Sequence, residues 1–300
     1  MQNVRNKNLL LYHFMVFIFG FSSVLGALIS LDAIPLVIYR MGLASLGLGL
    51  FFFFYYPSYF KLERSMWGKV FLGGVIIAVH WVTFFHAIKI AGVSLALSMM
   101  ATGAFITAII EPFLIKRKVL VYEILFGGFT AVGVALIFRA EYEHIDGILT
   151  ALFSAFLSSL FTILNGQMVK KALPITLSFY ELVVGTVVGI MFVLFNSSYG
   201  WSSFELKSYD LLWILIIAWV CTSYAFNVSI KVMKHLSPFT LMMIINLEPI
   251  YGILLSLAIW NEKEYMSFNF YLGFVIVMVS ILLNGIFKYN KEAEKKESQL

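Results

Sequence analysis

Two carboxylates, each followed by proline inside an apolar run, are the residues best placed to do chemistry: Glu111-Pro112 and Glu248-Pro249. An ionisable side chain in hydrocarbon is costly, and by default it marks a substrate, ion or proton pathway. Glu248 lies near the middle of the run 238–260. Pro249 removes one helical hydrogen bond beside it and leaves the Ile245 carbonyl without its usual partner. A central carboxyl on an interrupted helix suits a substrate or proton site. Water admitted from one side permits ionisation, and closure favours the neutral acid. Glu111 is one turn from the end of the run 92–115, within reach of Lys116, so a structural ion pair is an equal reading there. Glu123 is expected to pair with the cluster Lys116, Arg117 and Lys118.

Three more ionisable groups sit in apolar runs. At about 100° per residue, His80 shares a helix face with Trp81, Phe84 and Ile88, whereas His86 points elsewhere. His80 is then either a pocket residue beside an aromatic wall or a neutral imidazole bonded between helices. Arg40 is about 8 Å below one end of its run and Glu181 about 10 Å from the opposite end of its own, at 1.5 Å per residue. They are expected to serve as gates on opposite sides of a cavity, unless Arg40 snorkels to its interface. No HExxH and no cysteine cluster is present, and Cys221 is the single cysteine, so no metal and no cofactor is expected.

The elements that carry these groups follow from composition. Of 300 residues, 61% are hydrophobic and 12% charged, half the roughly 25% charge of a soluble domain. The expected fold class is all-α integral membrane. A crossing helix needs about 20 apolar residues, and ten runs qualify: 9–29, 35–56, 70–88, 92–115, 119–138, 147–166, 175–195, 211–230, 238–260 and 268–287. Sixteen of the 21 Lys and Arg residues fall in alternate connectors and the termini, and four (Lys89, Arg139, Lys207, Lys263) in the others. The positive-inside rule then puts both termini in the cytoplasm. Positives spread in this way set topology and form no basic face, so no nucleic acid is expected as a partner. The tail 288–300 reads as polar and without fixed structure.

The halves 1–145 and 146–287 show weak internal similarity. IPLVIYR (Ile34 to Arg40) and LPITLSFYE (Leu173 to Glu181) each pair an early proline with tyrosine and a charge. HAIK and VSIK precede the two runs that hold Glu-Pro, but the Glu-Pro pairs are out of register: alignment through Gly128 and Gly273 sets Glu248 opposite Gly103. Five helices per half make the second half enter the membrane from the other side. The predicted architecture is therefore ten transmembrane helices as two inverted five-helix repeats, which belongs to transporters.

The stretch WVTFFHAIK, followed by GVSLAL and Glu111-Pro112, resembles the third and fourth helices of EamA-type transporters of the drug/metabolite superfamily. The resemblance covers nearly the whole chain. It implies a bacterial inner-membrane secondary transporter with both termini cytoplasmic, exporting a small metabolite or amino acid by alternating access. The lipid bilayer is its surroundings, protons are a candidate coupling ion, and a homodimer is left open. Where relatives end the fourth helix in glycine-glutamate this chain has Lys116, Arg117 and Lys118, while Asn261 and Glu262 keep an acidic end on the ninth. The alternatives are a flippase for a lipid-linked substrate and an integral-membrane enzyme, the latter lacking any visible nucleophile, metal cluster or cofactor loop. The site residues expected are Glu248, His80, Trp81, Phe84, Arg40, Glu181 and Glu111, with Pro249 and Pro112 as helix kinks.

Overall fold

A computed structural model describes residues 2–116, 121–207, 209–260 and 266–297. Arg117, Lys118, Asn261, Glu262 and Lys263 lie outside the described residues, as does the Glu123 side chain. Among the described residues, thirteen α-helices form the bundle: α1 Gln2–Leu28, α2 Ala33–Tyr55, α3 Trp67–Ala91, α4 Val93–Met100, α5 Gly103–Ile115, α6 Val121–Ala140, α7 Ile145–Met168, α8 Pro174–Phe195, α9 Asp210–Ile216, α10 Ala225–Val232, α11 Pro238–Ile245, α12 Glu248–Trp260 and α13 Phe268–Glu297. Nine helical stretches among the described residues are long and apolar enough to cross a membrane, some of them joining two or more of these helices. A shorter apolar stretch, Leu125–Ala140, lies within α6. The tail expected to lack fixed structure continues α13 to Glu297, in keeping with the high helix propensity of its Lys, Glu and Ala residues.

The fourth and ninth runs are each broken once, in the same register. α4 has 8 residues and α5 has 13, separated by Ala101–Thr102; α11 has 8 and α12 has 13, separated by Asn246–Leu247. For Pro249 this corrects the expected kink. Pro249 is the second residue of a new helix, where its missing N–H costs little. Pro112 lies inside α5, and the interruption of that run comes earlier, at Ala101–Thr102 beside Gly103. The register sets Gly103 against Glu248, as alignment through Gly128 and Gly273 requires.

Packing between the halves is reciprocal. α1 lies against α12 and α10, as α7 lies against α4, α5 and α3; α3 meets α8, and α2 meets α8 and residues 217–224; α6 and α13 pack on each other. At that last contact a Cβ on Gly133 would meet the Gly273 carbonyl oxygen at 2.7 Å, and one on Gly273 would meet that of Gly133 at 2.7 Å, so only glycine permits the approach. The tyrosine that precedes each charge is used alike in both halves. Tyr39 Oη donates to the Phe204 carbonyl at 3.1 Å and Tyr180 Oη to that of Phe60 at 2.7 Å. Each acceptor ends a four-residue 3₁₀ turn, Pro57–Phe60 or Trp201–Phe204, in the opposite half. Gly92, at φ 84°, makes the reversal between α3 and α4 in a backbone region that glycine adopts at least cost.

A cavity between two interrupted helices

Residues 217–224, between α9 and α10, form a π-helix, a wider turn often found at functional sites. The hydroxyls of Thr222 and Ser223 donate to the carbonyls five residues back, Ile217 at 2.8 Å and Ala218 at 3.1 Å. Thr222 Oγ1 also accepts the Arg40 Nε–H at 2.7 Å, which fixes the guanidinium on the inner face of α2. Arg40 is only 3% exposed, so it does not snorkel to an interface. Its guanidinium carbon lies 3.9 Å from the centre of the Trp81 ring and 5.4 Å from that of Phe85, a cation held over aromatic faces. Trp81 in turn meets the Phe226 ring edge-to-face at 5.3 Å, and Phe226 lies 5.6 Å from Phe161.

These groups wall a cavity that is partly open to its surroundings. Its ends are set by the two helix breaks: Met100 closes α4, Ile245 closes α11 and Glu248 opens α12. Gly20 on α1 makes room for the start of α12, since a Cβ there would meet the Glu248 carbonyl oxygen at 3.1 Å. Hydroxyls of Ser22, Ser158, Thr162, Ser229 and Tyr12 are spread through an otherwise apolar lining. His80 lines it too. Its Nδ1–H donates to the Ser154 carbonyl at 3.0 Å while Ser154 Oγ donates to the His80 carbonyl at 2.8 Å, leaving Nε2 as the ring's remaining acceptor. Both readings of His80 therefore hold together: it is bonded between α3 and α7, and it is a wall residue.

The structure thus brings Glu248, Arg40, His80, Trp81 and Phe84 to one cavity. Glu181 and Glu111 are buried but do not line it. Arg40 and Glu248 act on each other electrostatically, yet no ion pair within 4.0 Å joins them among the described residues. A cation and a carboxyl that share a cavity without neutralising each other can take the two ends of a zwitterion. Sequence reasoning missed Thr222, Phe161 and Phe226. The adjacent hydroxyls Thr222 and Ser223 in an apolar run were the available signal for the first, and nothing set the two phenylalanines apart from 28 others. Thr222→Val keeps the shape and removes the acceptor for Arg40 Nε. A hydrogen bond to a charged group contributes about 1.5–3 kcal/mol, so ligand affinity is expected to fall roughly 10- to 100-fold without loss of folding, as read by titration calorimetry on the purified protein.

An all-helical bundle of two reciprocally packed repeats, with a cavity at two interrupted helices, defines a multi-pass membrane protein of the transporter class. The chain belongs to the EamA-like transporter family, whose sequence profile matches residues 7–139 and again 145–286. A solved crystal structure, titled only as that of a protein, is similar over 94% of this chain and 98% of its own, with a TM-score of 0.69 at 12% identity. At that identity the likeness is one of fold. No curated protein matches the chain in sequence.

Proposed function

We propose that this protein is an inner-membrane secondary transporter of ten helices in two inverted five-helix halves, with both termini cytoplasmic. It exports a small zwitterionic metabolite, of which an amino acid is the simplest, by alternating access in exchange for protons. The observation that carries the reading is the cavity itself, which Arg40 and Glu248 both line beside aromatic rings with no ion pair joining them among the described residues. A substrate carboxylate suits the Arg40 guanidinium, a substrate ammonium suits ionised Glu248, and an apolar side chain suits Trp81, Phe84 and Phe226.

Exchange follows from competition at one carboxyl. Glu248 attracts an ammonium only when ionised, and a proton on it removes that attraction, so proton and substrate exclude each other from the site. If the site faces one side at a time, a proton entering from outside and a substrate leaving from inside use it in turn. The reciprocal packing and the matched breaks support two such facings, since exchanging the roles of the halves exchanges the open side. Uptake of labelled amino acids into proteoliposomes under an imposed pH gradient tests the reading, and accumulation that ignores the gradient would refute proton exchange.

The topology has its own test. Reporter fusions after residues 65, 171, 235 and 290 are expected to report cytoplasm, and fusions near 32, 142 and 203 the outside. A cytoplasmic report from the 203 loop would break both the count of ten and the inversion.

A further inference from the structure

Outside the cavity, one more carboxyl is wholly enclosed. Glu181 on α8 is 0% exposed, and its Oε1 accepts a hydrogen bond from Asn165 Nδ2 on α7 at 2.8 Å. Helix α3 closes over it through Gly73 and Gly74: a Cβ at Gly73 would collide with Glu181 Oε1, and one at Gly74 would meet the Glu181 carbonyl oxygen at 2.8 Å. Two atoms of this pair are left over. Glu181 Oε2 and Asn165 Oδ1 have no hydrogen-bond partner among the described residues.

Among the described residues the hydrogen-bond partner of this carboxyl is the Asn165 amide, and no ion pair within 4.0 Å joins it to a cation. The charged groups on the elements packed around α8 are engaged elsewhere. On α3, Lys69 and His86 are exposed, His80 is bonded to Ser154 and Lys89 to the Ile29 carbonyl; on α2, Arg40 is bonded to Thr222. Lys61 after the 57–60 turn, Lys170 after α7 and Lys231 on α10 are all exposed. An ionised Glu181 would therefore be a buried charge without a counterion, with two buried acceptors unsatisfied.

Two acceptors without a donor are short of one hydrogen. A proton on Glu181 Oε2 supplies it: the acid O–H donates to Asn165 Oδ1 while the Asn165 Nδ2–H donates to Glu181 Oε1, the two-bond ring of a carboxylic acid paired with a primary amide. We infer that Glu181 and Asn165 form a proton-binding site separate from the cavity, in which one proton closes an acid–amide ring between α7 and α8 beneath α3. When the α3–α8 contact parts and water reaches the carboxyl, the proton passes to water and hydration takes over the carboxylate. Closure of this three-helix contact is thus tied to proton binding. Only its place in a transport cycle rests on the cavity reading; the proton itself is measured without substrate.

The test is infrared spectroscopy of the purified protein in lipid vesicles at neutral pH, reading the C=O band of protonated carboxyl groups. Glu181→Gln is expected to lose one component of that band, and to fold, because a glutamine can make the same two-bond ring with Asn165 without a proton. In Asn165→Ala the component is expected to persist and move to higher frequency, since its carbonyl has lost an N–H donor. Thermal stability supplies the sign. A native state that holds this proton binds one more than the unfolded chain at neutral pH, so the melting temperature falls as pH rises. That part of the slope should vanish in Glu181→Gln. An acid band identical in wild type and Glu181→Gln would overturn the inference, and so would an unshifted band in Asn165→Ala, which decides the matter if the first variant does not fold. Loss of a band component in Glu248→Gln bears on the cavity reading alone.

Discussion

Glu248→Gln is expected to abolish transport driven by a pH gradient while leaving exchange of labelled for unlabelled substrate in place. Glutamine keeps the shape of the side chain and an oxygen for a substrate ammonium, but it cannot ionise or carry a proton. The variant can still reorient with substrate bound, which is all that exchange requires. It cannot return with a proton in place of substrate, so net flux loses its driving force. The loss should be complete within detection for gradient-driven accumulation, with substrate affinity lowered by a factor near ten, since a charged hydrogen-bond partner has become a neutral one. Wild-type substrate binding should also weaken as pH falls, because the proton competes for the carboxyl, and in Glu248→Gln that dependence should disappear. Proteoliposomes with imposed gradients decide it. Gradient-driven accumulation by the variant at the wild-type level would remove Glu248 from coupling.

Arg40→Ala is expected to give the largest loss of substrate affinity. The guanidinium is held by Thr222 on one side and the Trp81 ring on the other, so it is positioned before substrate arrives and little ordering is lost on binding. Truncating one partner of a buried hydrogen-bonded charge pair costs about 2–5 kcal/mol, so affinity should fall roughly 30-fold or more. Arg40→Lys should recover only part of this, because an ammonium cannot donate to a carboxylate in two parallel bonds. Arg40 and Glu248 line the same cavity, so their substitutions should be non-additive. Removing Arg40 leaves Glu248 without its nearby cation and favours its neutral form, after which Glu248→Gln should cost little more. Calorimetry on the two single variants and the double variant measures this directly. Strictly additive losses would show that the two residues contact the ligand independently of each other.

Much of the architecture is legible before any coordinates. Apolar runs of helix length, sparse charge and the alternation of Lys and Arg between connectors mark a polytopic bundle, because hydrocarbon admits backbone only when its polar groups bond within a helix or are covered by protein. The register between the halves is legible as well. Aligning Gly128 with Gly273 sets Glu248 against Gly103, and those two residues begin the helices that follow the two breaks. The position of the breaks was not legible. Proline marked Pro112 and Pro249, but the chain is interrupted at Ala101–Thr102 and Asn246–Leu247, and Pro249 opens the helix that follows. A proline tells where a helix can begin or bend, and packing against neighbouring helices selects between the two.

What the sequence determined by itself is therefore the class of the protein and the identity of its expensive residues. Burying Arg40, His80, Glu181 or Glu248 is costly wherever it happens, so their presence in apolar runs speaks without any knowledge of neighbours. Only the tertiary structure decided how the cost is met, because each solution comes from a residue on another helix. Arg40 is answered by Thr222 and Trp81, His80 by Ser154, and Glu181 by Asn165 across a contact that Gly73 permits. Arg40 and Glu181, matched in sequence as a tyrosine followed by a charge, part company for the same reason. One meets an aromatic wall and a cavity; the other meets an amide in a closed three-helix contact. Helical periodicity fixes which residues share a face of one helix, but which faces meet is settled by packing among all of them at once.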